Sequence, residues 1–199
     1  MSVLIASLAL HAISPMALAE NKTFDFSRPN LAPQQVVVFE SNTALEDIVG
    51  RTNKVKGSIS GDVAKRSGTG KISIDLASLN SGVDLRDEHM RSEGWLNVAK
   101  YPTAEFQTSA VKFVGGNNFD VTGKFSLHGV TKTIKTRAVI KYMPESDLTK
   151  RNHFDGDVIQ VKTKFDIKLS DYGIKIMDIA KDKVSNSISI SVSVVGTTK

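Results

Sequence analysis

Apolar and polar residues alternate with a period of two along most of this chain. The clearest run covers residues 184–194, where Ile188 and Ile190 alternate with serines, and similar runs occur at 119–128 and 159–169. Such alternation is typical of antiparallel β-strands that bury one face. About eight strands of this kind, joined mostly by short turns, predict an all-β fold that is either a sandwich or a closed barrel.

One stretch, residues 79–106, interrupts the alternation. It opens with a turn signal and continues with a charged block in which Leu85 and His89 have helical spacing. Asp84 is a candidate N-cap for this helix, and Asp87 is a candidate capping-box partner. We therefore expect a short helix that covers the β-structure as a plug or lid.

Two other segments are less regular. Residues 44–49 place Leu45, Ile48 and Val49 on one helical face, so a short helix and a strand with a polar turn are both compatible with them. Residues 143–156 are polar and contain a proline, which predicts a surface loop or a small insertion.

Three parts of the chain resemble the motifs of the YceI-like family. They are RDEHMRS at 86–92 with KYPTAEF at 100–106, VTGKFSLHGVTK at 121–132, and SDYGI at 170–174, and they occur in the family order. The resemblance implies an extended, lipocalin-like antiparallel β-barrel of about eight strands with one or two short helices. It also implies an elongated apolar cavity that holds long-chain amphiphiles, notably polyisoprenoids.

Residues 1–19 differ in composition from the rest of the chain. An apolar run at 3–10 is followed by Ala17-Leu18-Ala19 directly before Glu20. This pattern is typical of a secretory signal peptide cut after Ala19, although no Lys or Arg precedes the apolar run; a buried N-terminal helix is the alternative. We expect a signal peptide at 1–19, one barrel domain at 20–199, and a periplasmic or secreted protein.

Composition adds three constraints. The 199 residues are 40% hydrophobic and 24% charged, which is ordinary for a soluble globular domain, and no run after the N-terminus is long enough to span a membrane. The net charge of +5 comes with lysines spread along the strands, so we expect a solvated face and no nucleic-acid partner. The absence of cysteine excludes thiol catalysis and cysteine metal sites.

The residues that usually carry catalysis or bind metals are scattered in this sequence. His11, His89, His128 and His153 lie in separate segments without a paired spacing, so no metal site is expected. The chain has no Gly-x-Ser-x-Gly motif and no supported pair of catalytic carboxylates. We therefore predict a protein that is not an enzyme and that carries no cofactor.

The apolar face of the strands is the candidate ligand-binding surface. The residues alone favour a filled core, whereas the family resemblance implies that they line a cavity. The predicted lining residues are Phe106, Phe119, Val121, Phe125, Leu127, Phe165, Ile167, Leu169, Ile188, Ile190 and Val192. A hydrocarbon chain among them needs no specific hydrogen bonds, because burial contributes about 25 cal/mol per Å² of apolar surface.

A polar head group would need a few donors at the cavity mouth. Arg86, His89 and Arg91 are candidate donors, and Trp95 and Tyr101 are candidates to line the rim. The alternative interpretation is that this block ties the helix to the barrel.

The favoured hypothesis is an exported, non-catalytic protein that sequesters or carries a polyisoprenoid or another long-chain amphiphile in its barrel. The alternative is a filled-barrel structural or stress-related protein that has a protein partner and no lipid ligand. A third hypothesis is an enzyme that acts on a lipid-like substrate. The resemblance also allows a homodimer.

Overall fold

The computed structural model describes residues 21–199, so the predicted signal peptide at 1–19 lies outside the described residues. The described chain forms ten strands and two α-helices. In chain order they are β1 (Asn21–Asp25), β2 (Val36–Asn42), β3 (Asp47–Thr52), β4 (Val55–Asp62), β5 (Ser67–Asp75), α1 (Asp84–Arg91), β6 (Thr103–Gly115), β7 (Asn118–Leu127), β8 (Val130–Met143), α2 (Asp147–Arg151), β9 (Val158–Lys168) and β10 (Ser187–Thr197). Short 3₁₀ turns lie at Pro29–Gln34, Leu76–Ser78, Leu169–Tyr172 and Asp178–Ala180.

Eight of the strands close a barrel. Their order is β1-β4-β5-β6-β7-β8-β9-β10, and β10 meets β1 again at the pair Asp25–Thr197. The hairpin β2–β3 pairs with another part of the same edge of β10, from Ser189 to Ser193. All of these pairs are antiparallel. The predicted extended, lipocalin-like β-barrel of about eight strands with one or two short helices is confirmed.

Gln35 bridges the point at which β10 changes its partner strand. Its side-chain Nε2 donates hydrogen bonds to the carbonyl oxygens of Val195, at 2.8 Å, and Phe26, at 3.2 Å. The backbone N–H of Val195 donates to Oε1 of Gln35 at 3.2 Å. Val195 lies between the part of β10 that pairs with β2 and the residue that pairs with β1, so it has no backbone partner on this edge. The amide of Gln35, which is only 2% exposed, takes the place of that partner.

The hairpin β2–β3 extends the barrel wall toward α1. Arg51 and Asn80 exchange two backbone hydrogen bonds of 2.9 and 3.0 Å, which join β3 to the loop that precedes the helix. Residues 44–49 are therefore a turn and a strand, and the alternative of a short helix at 44–49 is wrong. Ile48 points into the barrel while Leu45 and Val49 are exposed, so these residues do not share one buried helical face.

An ion-pair cluster joins three strands at the barrel end farther from α1. Lys22 of β1 pairs with Asp157, which also accepts hydrogen bonds from the hydroxyl of Tyr142 and the backbone N–H of Glu145, both at 2.8 Å. Desolvation acts to raise the pKa of Asp157, but these three hydrogen bonds outweigh it and hold the pKa below its usual value. Burial raises the pKa of Tyr142, and the neighbouring carboxylate adds to this effect.

Acid is expected to weaken this cluster. The pKa of Asp157 is lower in the folded protein than in the unfolded chain, so its stabilising contribution is complete above the unfolded value of about 4 and is lost as pH falls through the folded value. The free energy of unfolding, measured with urea between neutral and acidic pH, should decrease below about pH 4. Asp157→Asn should remove part of that decrease, and Asp166→Asn on the exposed face of β9 should not. An unchanged pH profile in Asp157→Asn would contradict this expectation.

Candidate ligand-binding cavity

The barrel encloses two cavities that meet near its middle. The helix-end chamber, of about 580 Å³, lies beneath α1 and residues 177–184. The hairpin-end chamber, of about 390 Å³, opens between the β4–β5 and β6–β7 turns. Both volumes lie within the roughly 300–1,000 Å³ that is usual for small-molecule sites. Side chains therefore do not fill the barrel interior.

The structure places all eleven predicted lining residues on the walls of these chambers. Leu127, Ile167, Leu169, Ile188 and Ile190 line the helix-end chamber, Phe106, Phe119, Val121, Phe165 and Val192 line the hairpin-end chamber, and Phe125 lines both. Their contact with a ligand remains a prediction.

The sequence analysis missed the wall contributed by the N-terminal half of the barrel. Ile74 of β5 lines both chambers, and Val37 and Phe39 of β2 line the helix-end chamber. The alternation of Ile72, Ile74 and Leu76 was a visible signal for this wall, but no family motif covers these strands. The predicted lining was therefore drawn from the later part of the chain.

Helix α1 is fixed over the helix-end chamber by Asp87. Its carboxylate accepts two hydrogen bonds from the backbone N–H of Ser81, at 2.9 and 3.1 Å, and one from the Ser81 hydroxyl at 2.7 Å. The N-cap position is occupied by Val83, so Asp84 does not cap the helix and lies in its first turn. Asp87 is 2% exposed, and it holds the loop before the helix in place of an ordinary N-cap.

Removing this carboxylate should loosen the helix. Asp87→Ala leaves the partly buried N–H and hydroxyl of Ser81 without their acceptor, and we expect the free energy of unfolding to fall by about 2–3 kcal/mol. Asp84→Ala, in the exposed first turn of the same helix, should cost about 0.5 kcal/mol. Urea unfolding measures the difference, and hydrogen exchange at residues 81–92 reports whether the loss is local. Equal effects of the two variants would argue against the anchoring role.

Two of the predicted head-group residues hold the helix in place. Arg86 lines the helix-end chamber, but its guanidinium binds Glu46 at 2.8 Å and both the hydroxyl and the carbonyl of Ser81. Arg91 donates to the carbonyl oxygens of Ala77 and Leu79, at 3.5 and 3.3 Å, and lines neither chamber. These contacts agree with the alternative interpretation that the charged block ties the helix to the barrel.

The two predicted rim aromatics lie in different places. Trp95 lines the helix-end chamber. Tyr101 lines neither chamber, because its ring packs edge-on against His128 at 4.7 Å and lies against Gly129. Gly129 has a φ of +77°, and a Cβ there would lie 2.7 Å from the Tyr101 ring. Tyr101 is therefore part of a packed turn outside the cavity.

The three family-like motifs converge around His128. Tyr101 belongs to the first motif, His128 to the second, and Tyr172 to the third. Nδ1 of His128 is 3.1 Å from the carbonyl oxygen of Tyr172, so Nδ1 carries the proton and donates. The Tyr172 ring packs edge-on against Phe125, and burial raises the pKa of its hydroxyl to about 12. Through Tyr172, this cluster packs against Phe125, which lines both chambers.

Exposed apolar side chains surround the mouth of the helix-end chamber. Leu85 of α1 is 61% exposed and Ile179 is 87% exposed, and both line the chamber. His89 and Lys183 line it too, and neither side chain forms a hydrogen bond or ion pair with another of residues 21–199. Lys183 was missed from sequence because it lies in the irregular segment before β10. These two residues are the polar groups at the mouth that are available to a ligand.

Metal-binding clusters and membrane-spanning helices can both be assessed for residues 21–199. Across residues 21–199, no three His, Cys, Asp or Glu side chains are grouped closely enough to hold a metal ion. Over the same residues, no helix is both long and apolar enough to cross a membrane.

A family model described as "YceI-like domain" matches residues 30–196 of this chain. A "UPF0312 protein" of Azotobacter vinelandii is 37% identical over 136 residues, which are 67% of this chain and 68% of the relative. A "UPF0312 protein" of Pseudomonas putida strain W619 is 35% identical over 142 residues, which are 70% of this chain and 68% of the relative. The resemblance that was predicted from the three motifs is confirmed.

Solved structures share the fold at lower sequence identity. BcnA of Burkholderia cenocepacia superposes with a TM-score of 0.70 at 21% identity, over 83% of this chain and 98% of that protein. A domain from Saccharophagus degradans, described as a polyisoprenoid binding domain implicated in plant cell wall breakdown, superposes with a TM-score of 0.66 at 19% identity. That match covers 90% of this chain and all of that domain.

Proposed function

Because the chain belongs to the YceI-like domain family, we propose that it is an exported, non-catalytic protein that sequesters or carries a polyisoprenoid or another long-chain amphiphile in its barrel. The observation that carries this proposal is the interior itself, which holds chambers of about 580 and 390 Å³ end to end. The eleven predicted apolar residues are among those that line the two chambers.

A hydrocarbon tail suits these walls. Aliphatic and aromatic side chains offer such a tail dispersion contacts, and they need no matching hydrogen bonds. Its burial contributes about 25 cal/mol per Å² of apolar surface removed from water. A compact polar ligand below the mouth of the helix-end chamber would lose its hydration among mostly apolar side chains, because Arg86 and Glu46 of this chamber already bind each other.

The polar end of the ligand would lie at the mouth of the helix-end chamber. His89 and Lys183 provide nitrogen donors there, and neither side chain forms a hydrogen bond or ion pair with another described residue. They suit a head group that accepts hydrogen bonds, such as a hydroxyl, a carboxylate or a phosphate. The Saccharophagus degradans domain is described as polyisoprenoid binding, which supports an isoprenoid tail as the first ligand class to test.

Native mass spectrometry of protein from an exporting host tests this proposal. We expect the mass of a chain that begins at Glu20, together with a discrete added mass. Organic extraction should release the bound molecule as a prenyl or other long-chain lipid. A bare protein that also takes up no added isoprenoid quinone would overturn the carrier function. Absence of the protein from both the periplasmic fraction and the culture medium, or a chain that keeps residues 1–19, would overturn export and leave binding to be judged by the added mass.

A further inference from the structure

The two chambers meet at one level of the barrel. Phe165 of β9 and Ile190 of β10 are directly paired, yet Phe165 lines the hairpin-end chamber and Ile190 lines the helix-end chamber. The next inward residues lie on either side of this level, because Ile167 of β9 lines the helix-end chamber and Val192 of β10 lines the hairpin-end chamber. The boundary between the chambers therefore passes through this pair of residues.

The same boundary crosses the opposite side of the barrel. Ile74 of β5 and Phe125 of β7 each line both chambers. Between these strands, Ala104 of β6 faces the helix-end chamber and Phe106 faces the hairpin-end chamber. We call the residues at this level, Ile74, Phe106, Phe125, Phe165 and Ile190, the waist.

The Phe125 ring is the best-packed group of the waist. It is 2% exposed and meets the Phe165 ring edge-on at a centroid distance of 5.5 Å and the Tyr172 ring at 5.8 Å. Phe165 in turn lies 6.5 Å from Phe106. A tail that passes from one chamber to the other must displace Phe125 or its neighbours, and it then loses these aromatic contacts.

We propose that Phe125 selects ligands by the length of their tails. This inference rests on the proposed carrier function. A tail that fits the helix-end chamber stops at the waist, and a longer tail enters the hairpin-end chamber only by displacing the Phe125 ring. The waist thus divides the barrel into a first compartment that short tails fill and a second compartment that only longer tails reach.

A series of straight-chain primary alcohols of increasing length tests this inference on the mature protein, with binding measured by calorimetry or by displacement of a fluorescent fatty probe. In the unmodified protein, we expect affinity to rise about fourfold for each added methylene until the tail reaches the waist and then to level off. In Phe125→Ala, the rise should continue through several further methylenes. Phe125→Leu, which keeps more of the core filled, should shift the limit in the same direction by a smaller amount.

Phe119→Ala is the matched control. Phe119 lies on the inward face of the same strand, is buried and lines the hairpin-end chamber, but it is not part of the waist. It should leave the limiting tail length unchanged. An unmodified protein that binds alcohols without levelling off, or variants of Phe125 with an unmoved limit, would overturn the inference alone. Failure of every alcohol to bind would overturn both the carrier function and the inference.

Discussion

Replacing Gln35 by methionine is expected to lower the free energy of unfolding by about 3–5 kcal/mol. Methionine has a similar length and fills the same space, but it cannot serve the N–H and carbonyl of Val195 or the carbonyl of Phe26. Each buried backbone group that loses its partner costs about 1–3 kcal/mol. Because whole domains are stable by only about 5–15 kcal/mol, this single amide carries a large share of the total.

The neighbouring glutamine provides a matched control. Gln34 is half-buried, and its Oε1 has no hydrogen-bond partner among residues 21–199. Gln34→Met should therefore change the free energy of unfolding by less than about 0.5 kcal/mol. Urea unfolding of the two variants and the unmodified protein gives the comparison. If Gln35→Met lowers the free energy of unfolding no more than Gln34→Met does, the hydrogen bonds of Gln35 to Val195 and Phe26 do not stabilise the barrel as expected.

Placing a charge in the helix-end chamber is expected to give the largest loss of binding. Ile188 is 8% exposed and lines that chamber, so Ile188→Arg puts a guanidinium where the hydrocarbon tail would lie. Desolvating this cation against a tail costs about 3 kcal/mol or more, which corresponds to about a 100-fold loss of affinity. The long arginine side chain can extend toward the mouth and keep its charge near water, which favours retention of the fold.

Ser187→Arg is the control for this variant, because it adds the same charge to an exposed position one residue earlier on β10. Its lipid content and its affinity for added isoprenoid should match those of the unmodified protein. Thermal unfolding of both variants establishes that they are folded. A folded Ile188→Arg variant that retains its lipid would show that the helix-end chamber does not hold the tail.

The strands of this barrel could be predicted from sequence because their signal is local. Each inward residue of β7 and β10 stands two positions from the next, so the alternation marks the buried face before any tertiary contact is known. The alternating runs at 119–128 and 159–169 are observed as β7 (Asn118–Leu127) and β9 (Val158–Lys168) for the same reason. The choice between sandwich and barrel needed the family resemblance, because it depends on which strands meet at the two ends of the sheet.

The parts that could not be predicted depend on contacts between distant segments. From the sequence, Gln35 is an ordinary polar residue next to a predicted turn. Only its position beside Val195 in the fold explains why it is buried. Arg91 and Tyr101 are residue types that can bind a polar head group. In the fold, Arg91 donates to a backbone carbonyl oxygen and the Tyr101 ring packs against His128. Lys183 stands in an irregular segment with no pattern of its own, and the fold places it at the mouth.

The closure of the ring between β1 and β10 has a consequence for how the barrel folds. The first and last described strands are neighbours in space, so the ring stays open until β10 has been synthesised as far as Thr197. Folds dominated by such long-range pairings form slowly, because the entropy of closing the long loop is lost before the contacts compensate for it. A chain with this connectivity lacks its final closure until Thr197 has been made, which is compatible with the proposed export in an extended form.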